Sequence, residues 1–174
     1  MKFDSSIVQT TFKSPLGTII IAAADKGLAG LWFEGQRHSP AELTGGCPAW
    51  PSEPQHPVLK KTSVYLNEYF TGKRVQFDVP LDLSGGTTFQ QAVWTVLLSI
   101  PQGSTSSYSE VSQRIGNPAA VRAVGAAVGR NPVSIVVPCH RVVGSNGSLT
   151  GYAGGLDRKT SLLTLEGALQ ENMF

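Results

Sequence analysis

Long apolar runs are missing from this 174-residue chain. No stretch reaches the roughly 18 apolar residues that a membrane helix needs, so no membrane partner is expected. The opening residues, Met-Lys-Phe-Asp-Ser-Ser, hold no apolar core of signal-peptide length. Cysteine is scarce: Cys47 and Cys139 stand far apart, with no spacing that suggests a disulfide framework. That scarcity speaks for a reducing, cytoplasmic setting in which a free thiol persists. Cys47, His38 and His56 lack the ligand spacing of a zinc site, so no metal is expected. Charge is low as well, 15% of residues with a net of +2, too small to announce nucleic-acid binding by itself. No internal repeat is present.

What is there suffices for ordinary globular cores: 41% of residues are hydrophobic, in a length that allows one large domain or two small ones. Residues 7–12, 17–24 and 27–33 read as short strands joined by turn residues, the pattern of an antiparallel meander. Residues 36–55, rich in Pro, Gly and Ser, predict an irregular connection. Residues 57–71 predict a helix with the stripe Val58, Thr62, Tyr65, Leu66 and Tyr69, opened by Pro57 and closed by Gly72. Residues 75–83 return to strand-like alternation. Ser84-Gly85-Gly86 marks the boundary between an N-terminal domain, 1–84, and a C-terminal domain, 85–174.

Beyond that boundary the pattern is short helices with clear punctuation. Thr87 or Thr88 caps a helix whose stripe is Phe89, Val93, Val96 and Ile100, stopped by Pro101 and Gly103. Ser107 and Glu110 form a capping box that opens a helix to about Ile115. Gly116-Asn117-Pro118 reads as a turn, an N-cap and an N1 proline, opening another helix through Val128. Two short helices across a tight turn suggest a helix-turn-helix. An apolar stretch, 133–137, a Gly/Ser-rich loop, 144–155, and a final helix from Leu156 to Glu166 complete the chain.

Charge is distributed unevenly. Residues 108–141 hold four arginines, Arg114, Arg122, Arg130 and Arg141, against one acid, Glu110. Arginine suits planar contacts with phosphates and bases, although scattered surface charge explains the same count. The helix after Pro118 is built from Ala119, Ala120, Ala123, Gly125, Ala126, Ala127 and Gly129, with Arg122 projecting alone. Small residues serve close packing in a core. They also strip a helix of bulk so that it lies against a nucleic-acid backbone, where one arginine enters the base stack.

Cys139 follows Pro138 and precedes His140 and Arg141. A free cysteine is commonly a small buried hydrophobe. Neighbouring cations favour the thiolate, the species that attacks, and a histidine nearby supplies a base. Adjacent residues in an extended segment point to opposite faces, so coupling Cys139 to His140 needs a turn or a bridging water. Glu166 is one candidate to orient His140, or else a helix-end surface charge. Tyr108 and Tyr152 read equally well as core residues.

Pro138-Cys139-His140-Arg141, preceded by Arg122-Ala-Val-Gly125 and Asn131-Pro132 and followed by Gly151-Tyr152-Ala153-Gly154-Gly155 and Glu166-Gly167, resembles the methylated-DNA–protein-cysteine methyltransferases, or O6-alkylguanine-DNA alkyltransferases. The resemblance is dense over residues 87–167 and weak over 1–84. It implies an α+β chain: a small ribonuclease-H-like domain with an antiparallel sheet, then a mostly helical winged helix-turn-helix domain. It implies irreversible, single-turnover transfer of an alkyl group from O6-alkylguanine, and from O4-alkylthymine, in double-stranded DNA, with no cofactor.

In that resemblance Cys139 is the acceptor, His140 its base through a water, Glu166 the orienting carboxylate and Asn131 a brace. Tyr108 contacts the flipped base. Arg122, with Ala120, Ala123, Gly125, Tyr108 and Arg141, meets DNA in the minor groove. Val142, Tyr152, Ala153, Gly154 and Ser134 line the guanine pocket. Animal members have Ser in place of Ala153 and Pro in place of Ser134, which puts tolerance of bulky adducts in doubt. No obligate protein partner is implied, and cooperative self-association on DNA stays open.

Overall fold

The computed structural model describes residues 1–74 and 76–170 and divides into two compact units, Met1–Gly86 and Thr87–Phe174. In the first, β1 (Val8–Ser14), β2 (Gly17–Ala24) and β3 (Gly27–Phe33) form an antiparallel sheet in the order β1-β2-β3. Every residue of β3 is buried, as befits a strand covered on both faces. Helix α2 (Pro57–Phe70) packs on the sheet with Leu59, Thr62, Leu66 and Tyr69 inward, a helical stripe. Its N-cap is His56, whose ring accepts the Val58 N–H, with Pro57 at the first position. Ile7, Ala22, Ala24, Ala29 and Trp32 form a further core cluster that Phe3, Leu43 and Trp50 cover.

Two expectations for this unit need correction. The irregular connection contains a one-turn helix, α1 (Ala41–Thr44). The segment read as a strand over residues 75–83 is not one: Val75 lies outside the described residues, and from 76 on only an isolated bridge joins Leu28 to Leu81. Pro80 lacks an N–H, so the segment meets β3 through Leu28 N–H to Pro80 and Asp82 N–H to Leu28, both 2.8 Å. Gly27 permits this approach, since a Cβ there would lie 2.5 Å from the Pro80 carbonyl oxygen.

The second unit is helical. α3 (Thr88–Leu98) opens with a full capping box between Thr87 and Gln90. It buries Val93, Trp94 and Leu97, one position round from the expected stripe. The cause is Trp94, whose indole N–H donates to the Ala127 carbonyl at 2.8 Å and turns the helix toward α5 (Val121–Gly129). α4 (Tyr108–Arg114) opens with the Ser107–Glu110 capping box.

The start of α5 differs from expectation. Gly116, at φ 78°, and Asn117 close α4 instead: Asn117 N–H reaches the Ser112 carbonyl and Gly116 N–H that of Gln113, both at 3.0 Å. Asn117 therefore caps nothing, Pro118 and Ala119 form a turn, and α5 begins at Val121 with Ala120 as its cap. A parallel pair, β4 (Ser106–Ser107) with β5 (Val142–Val143), and α6 (Leu156–Leu165) complete the unit. The chain is thus α+β, an antiparallel three-stranded sheet followed by a helical unit. Among the described residues no helix is long and apolar enough to cross a membrane.

In β3 a Cβ built on Gly30 would run into the six-membered ring of Trp32. Gly30→Ala is expected to displace that ring from its cluster and destabilise the protein by about 1–3 kcal/mol, the scale of core overpacking. Denaturant titration followed by tryptophan fluorescence checks this.

Candidate active site

The chain after α5 is held by one side chain. Asn131 is buried; its Nδ2 donates to the Val137 carbonyl at 2.7 Å and its Oδ1 accepts the Val133 N–H at 3.0 Å. Between these ties Val136 N–H donates to the Ser134 carbonyl at 2.8 Å around Ile135, at φ 72°. This is a γ-turn of the rare hand, unfavourable for a β-branched residue. Cys139 N–H then donates to the Val137 carbonyl at 2.8 Å around Pro138, at φ −82° and ψ 66°, a γ-turn of the common hand. Cys139–Arg141 form a single 3-10 turn. The approach to Cys139 is therefore a run of tight turns, not the extended segment expected. Strain of this kind, about 1–3 kcal/mol, persists only where surroundings over-determine it, and residues 131–143 are buried throughout.

The 3-10 turn sends His140 and Arg141 to one carboxylate. His140 Nε2 lies 2.8 Å from Glu166 Oε2, with both side chains fully buried. Arg141 Nε donates to Glu166 Oε1 at 2.8 Å and its Nη2 to Oε2 at 3.0 Å, while Nη1 donates to the Ile100 carbonyl at 2.6 Å. Arg141 was expected at DNA; the structure corrects this, because its guanidinium is turned inward and only 8% of the residue is exposed. Glu166 caps the C-terminus of α6, where the helix dipole disfavours an anion. The bidentate arginine offsets that cost. With Glu166 ionised, His140 carries its proton on Nε2 and presents Nδ1 as a base, and among the described residues Nδ1 has no partner. Burial holds the imidazole pKa below its ordinary value despite the nearby Glu166, so His140 is neutral at neutral pH.

Cys139 is also buried, at 5% exposure. Burial pushes its thiol pKa up, against the lowering influence of the Asn131 side chain, the Lys159 charge and Ser134. The low-pKa thiol expected from neighbouring cations is thereby corrected: Arg141 is neutralised by Glu166, and desolvation wins. The thiolate must be generated with a base at hand.

Around Cys139 lie Tyr152 and Ser134, both buried, and Tyr108, half-buried on α4. Tyr108 donates to the Thr150 carbonyl at 3.2 Å, and burial keeps its hydroxyl protonated well into alkaline pH. Val142 is fully buried, Gly154 buried and Ala153 half-buried. The residue that sequence reasoning missed is Lys159, fully buried on α6. Its signal was legible: Lys159, Leu162, Leu163 and Glu166 share the inward face at helical spacing.

On α5 the inward residues are Val124, Ala127 and Val128, while Arg122, Ala123 and Ala126 are exposed. Ala120 and Gly125 are half-buried, and a Cβ on Gly125 would touch the Tyr108 ring at 3.9 Å. The outward face is thus smooth apart from Arg122. No group of three or more His, Cys, Asp or Glu side chains is arranged to hold a metal among the described residues. Cys47 is exposed.

Comparison with known proteins agrees with this geometry. The profile of the 6-O-methylguanine DNA methyltransferase DNA-binding domain matches residues 88–168, and that of the same family's ribonuclease-like domain matches residues 7–83. A methylated-DNA–protein-cysteine methyltransferase of Mycolicibacterium paratuberculosis is 46% identical over 156 residues, 90% of each chain. An inducible one of Bacillus subtilis is 57% identical over 108 residues, 62% of this chain and 60% of the relative. The crystal structure of Mycobacterium tuberculosis OGT in complex with DNA superposes with a TM-score of 0.80 at 45% identity, covering 91% of each chain.

Removing Arg141 leaves a buried carboxylate without its partner. Arg141→Met is expected to destabilise the protein by about 3–5 kcal/mol in denaturant titration. The salt dependence of DNA binding by the folded variant is expected to stay unchanged, since an internal arginine releases no counterion.

Proposed function

The chain belongs to the 6-O-methylguanine DNA methyltransferase family, and from that premise we propose a residue-level account of its alkyl transfer. It is a DNA-repair enzyme that moves the alkyl group of methylated DNA to a cysteine of its own. We assign Cys139 as that acceptor and O6-alkylguanine, with O4-alkylthymine, as the donor. The observation that carries the assignment is the buried run from Cys139 to His140 to Glu166, with His140 Nδ1 without a partner among the described residues.

In this reading His140 Nδ1 takes the Cys139 proton through a bridging water, while Nε2–H stays on Glu166. The sulfur attacks the alkyl carbon in line, an S–C bond forms and the C–O6 bond breaks with its electrons leaving on guanine. Tyr108, still protonated, donates a hydrogen bond to the departing base. The proton held by His140 then neutralises the guanine. The thioether product has no route to hydrolysis, so each molecule acts once. Val142, Tyr152, Ala153, Gly154 and Ser134 wall the base pocket, and Asn131 braces the strained turns before Cys139. All these residues lie in the domain 85–174; the domain 1–84 contributes none of them.

The exposed face of α5 at Ala123 and Ala126, with Ala120 and Gly125 beside it, fits a minor groove, and Arg122 is placed to fill the gap left by an extruded nucleotide. A thiol acceptor also requires a reducing compartment, which we take to be the cytoplasm.

Cys139→Ala is expected to lose transfer from an O6-methylguanine duplex and to keep lesion binding; methyl transfer persisting in that variant, for example to Cys47, would sink the assignment. Arg122→Ala is expected to slow repair of duplex DNA far more than reaction with free O6-methylguanine base. Equal slowing on both substrates speaks against extrusion as its role.

A further inference from the structure

Lys159 is the buried charge that this account has not used. Its ammonium donates to three backbone carbonyls: Val142 at 2.6 Å, Thr150 at 3.0 Å and Gly151 at 3.2 Å. Among the described residues no carboxylate pairs with it, which is unusual for a lysine at 0% exposure. A buried cation without a counter-ion is costly. Carbonyl dipoles relieve part of that cost, and an anion forming nearby relieves more.

We propose that Lys159 is a positioning residue of the transfer site, fixing the Thr150–Gly151 segment onto Val142 and serving as counter-charge to the Cys139 thiolate; this rests on Cys139 being the acceptor. Two independent features converge on it. The first is the Thr150 carbonyl, which accepts from both Lys159 and Tyr108. When Tyr108 turns its hydroxyl to the departing base, Lys159 keeps that carbonyl satisfied, so the hydroxyl leaves without orphaning an acceptor. The second is charge. Lys159 and Cys139 each favour the ionised form of the other. The remaining ionisable groups do not replace it: Arg141 is occupied by Glu166, His140 is neutral, Tyr152 is held protonated by burial, and Arg158 donates to the Gly154 carbonyl.

Burial brings the Lys159 pKa down to about 8, so the ammonium is present at neutral pH and lost on alkalinisation. NMR of lysine side-chain carbons, with the Lys159 signal assigned, follows this directly in the whole protein. The Lys159 midpoint is expected to fall in Cys139→Ala, where its partner anion is gone; an unmoved midpoint overturns the charge pairing. In Lys159→Met the iodoacetamide reaction of Cys139 at neutral pH, where the ammonium is otherwise present, is expected to slow about tenfold. Tyr108→Phe and Lys159→Met are further expected to be non-additive in transfer rate, because they share Thr150. Additive losses with an unchanged iodoacetamide rate at neutral pH reduce Lys159 to a structural clamp and overturn the proposal. If peptide mapping instead places the methyl away from Cys139, it is the acceptor assignment that fails; a methyl on Cys139 with an unmoved Lys159 midpoint fails this inference alone.

Discussion

The site hangs on an anion kept where water does not reach. Glu166 ends α6 at 7% exposure, against the helix dipole, where Arg141 grips both of its oxygens and offsets a negative charge while His140 approaches one. Remove the arginine and the carboxylate has reason to take up a proton; a neutral acid no longer dictates which imidazole nitrogen carries hydrogen. The tautomer of His140 follows from that grip, and so does the direction in which it accepts a proton. Arg141 also binds the Ile100 carbonyl just after α3, which ties the helical scaffold to the 3-10 turn bearing Cys139.

Around this charge cluster, desolvation and reactivity oppose each other. Burial holds the thiol protonated, which protects it from solvent chemistry but withholds the nucleophile. A neutral histidine, a buried lysine and a tyrosine hydroxyl are the groups gathered around it. The tight turns around Ile135 and Pro138, braced by Asn131, present Cys139 at the start of a helical turn instead of on a strand.

Much of this was legible in the sequence, for physical reasons. The three N-terminal strands, the Ser107–Glu110 capping box and most of the α2 stripe are local patterns, and they appear where local chemistry puts them, although Leu59 turns inward and Val58 and Tyr65 are only half-buried. The motif around Cys139 raised the expectation of an acceptor with a neighbouring base, and both residues are buried together in the second unit. What stayed hidden depends on tertiary partners. Asn117 looks like an N-cap until the Schellman closure of α4 claims it. Residues 76–83 alternate like a strand, yet Pro80 leaves too few N–H groups for a ladder. Arg141 reads as a DNA contact until a carboxylate 25 residues away turns it inward. Lys159 is the exception: its spacing with Leu162 and Leu163 marks the inward face of α6, yet a lysine there is commonly read as surface.

The most direct test is intact-protein mass spectrometry, with peptide mapping, after incubation with an O6-methylguanine duplex. The account predicts one added methyl per molecule, located on Cys139 and not increasing with time or excess DNA. A methyl on another residue contradicts it, as does consumption of the lesion with the protein mass unchanged, the mark of a turning-over enzyme.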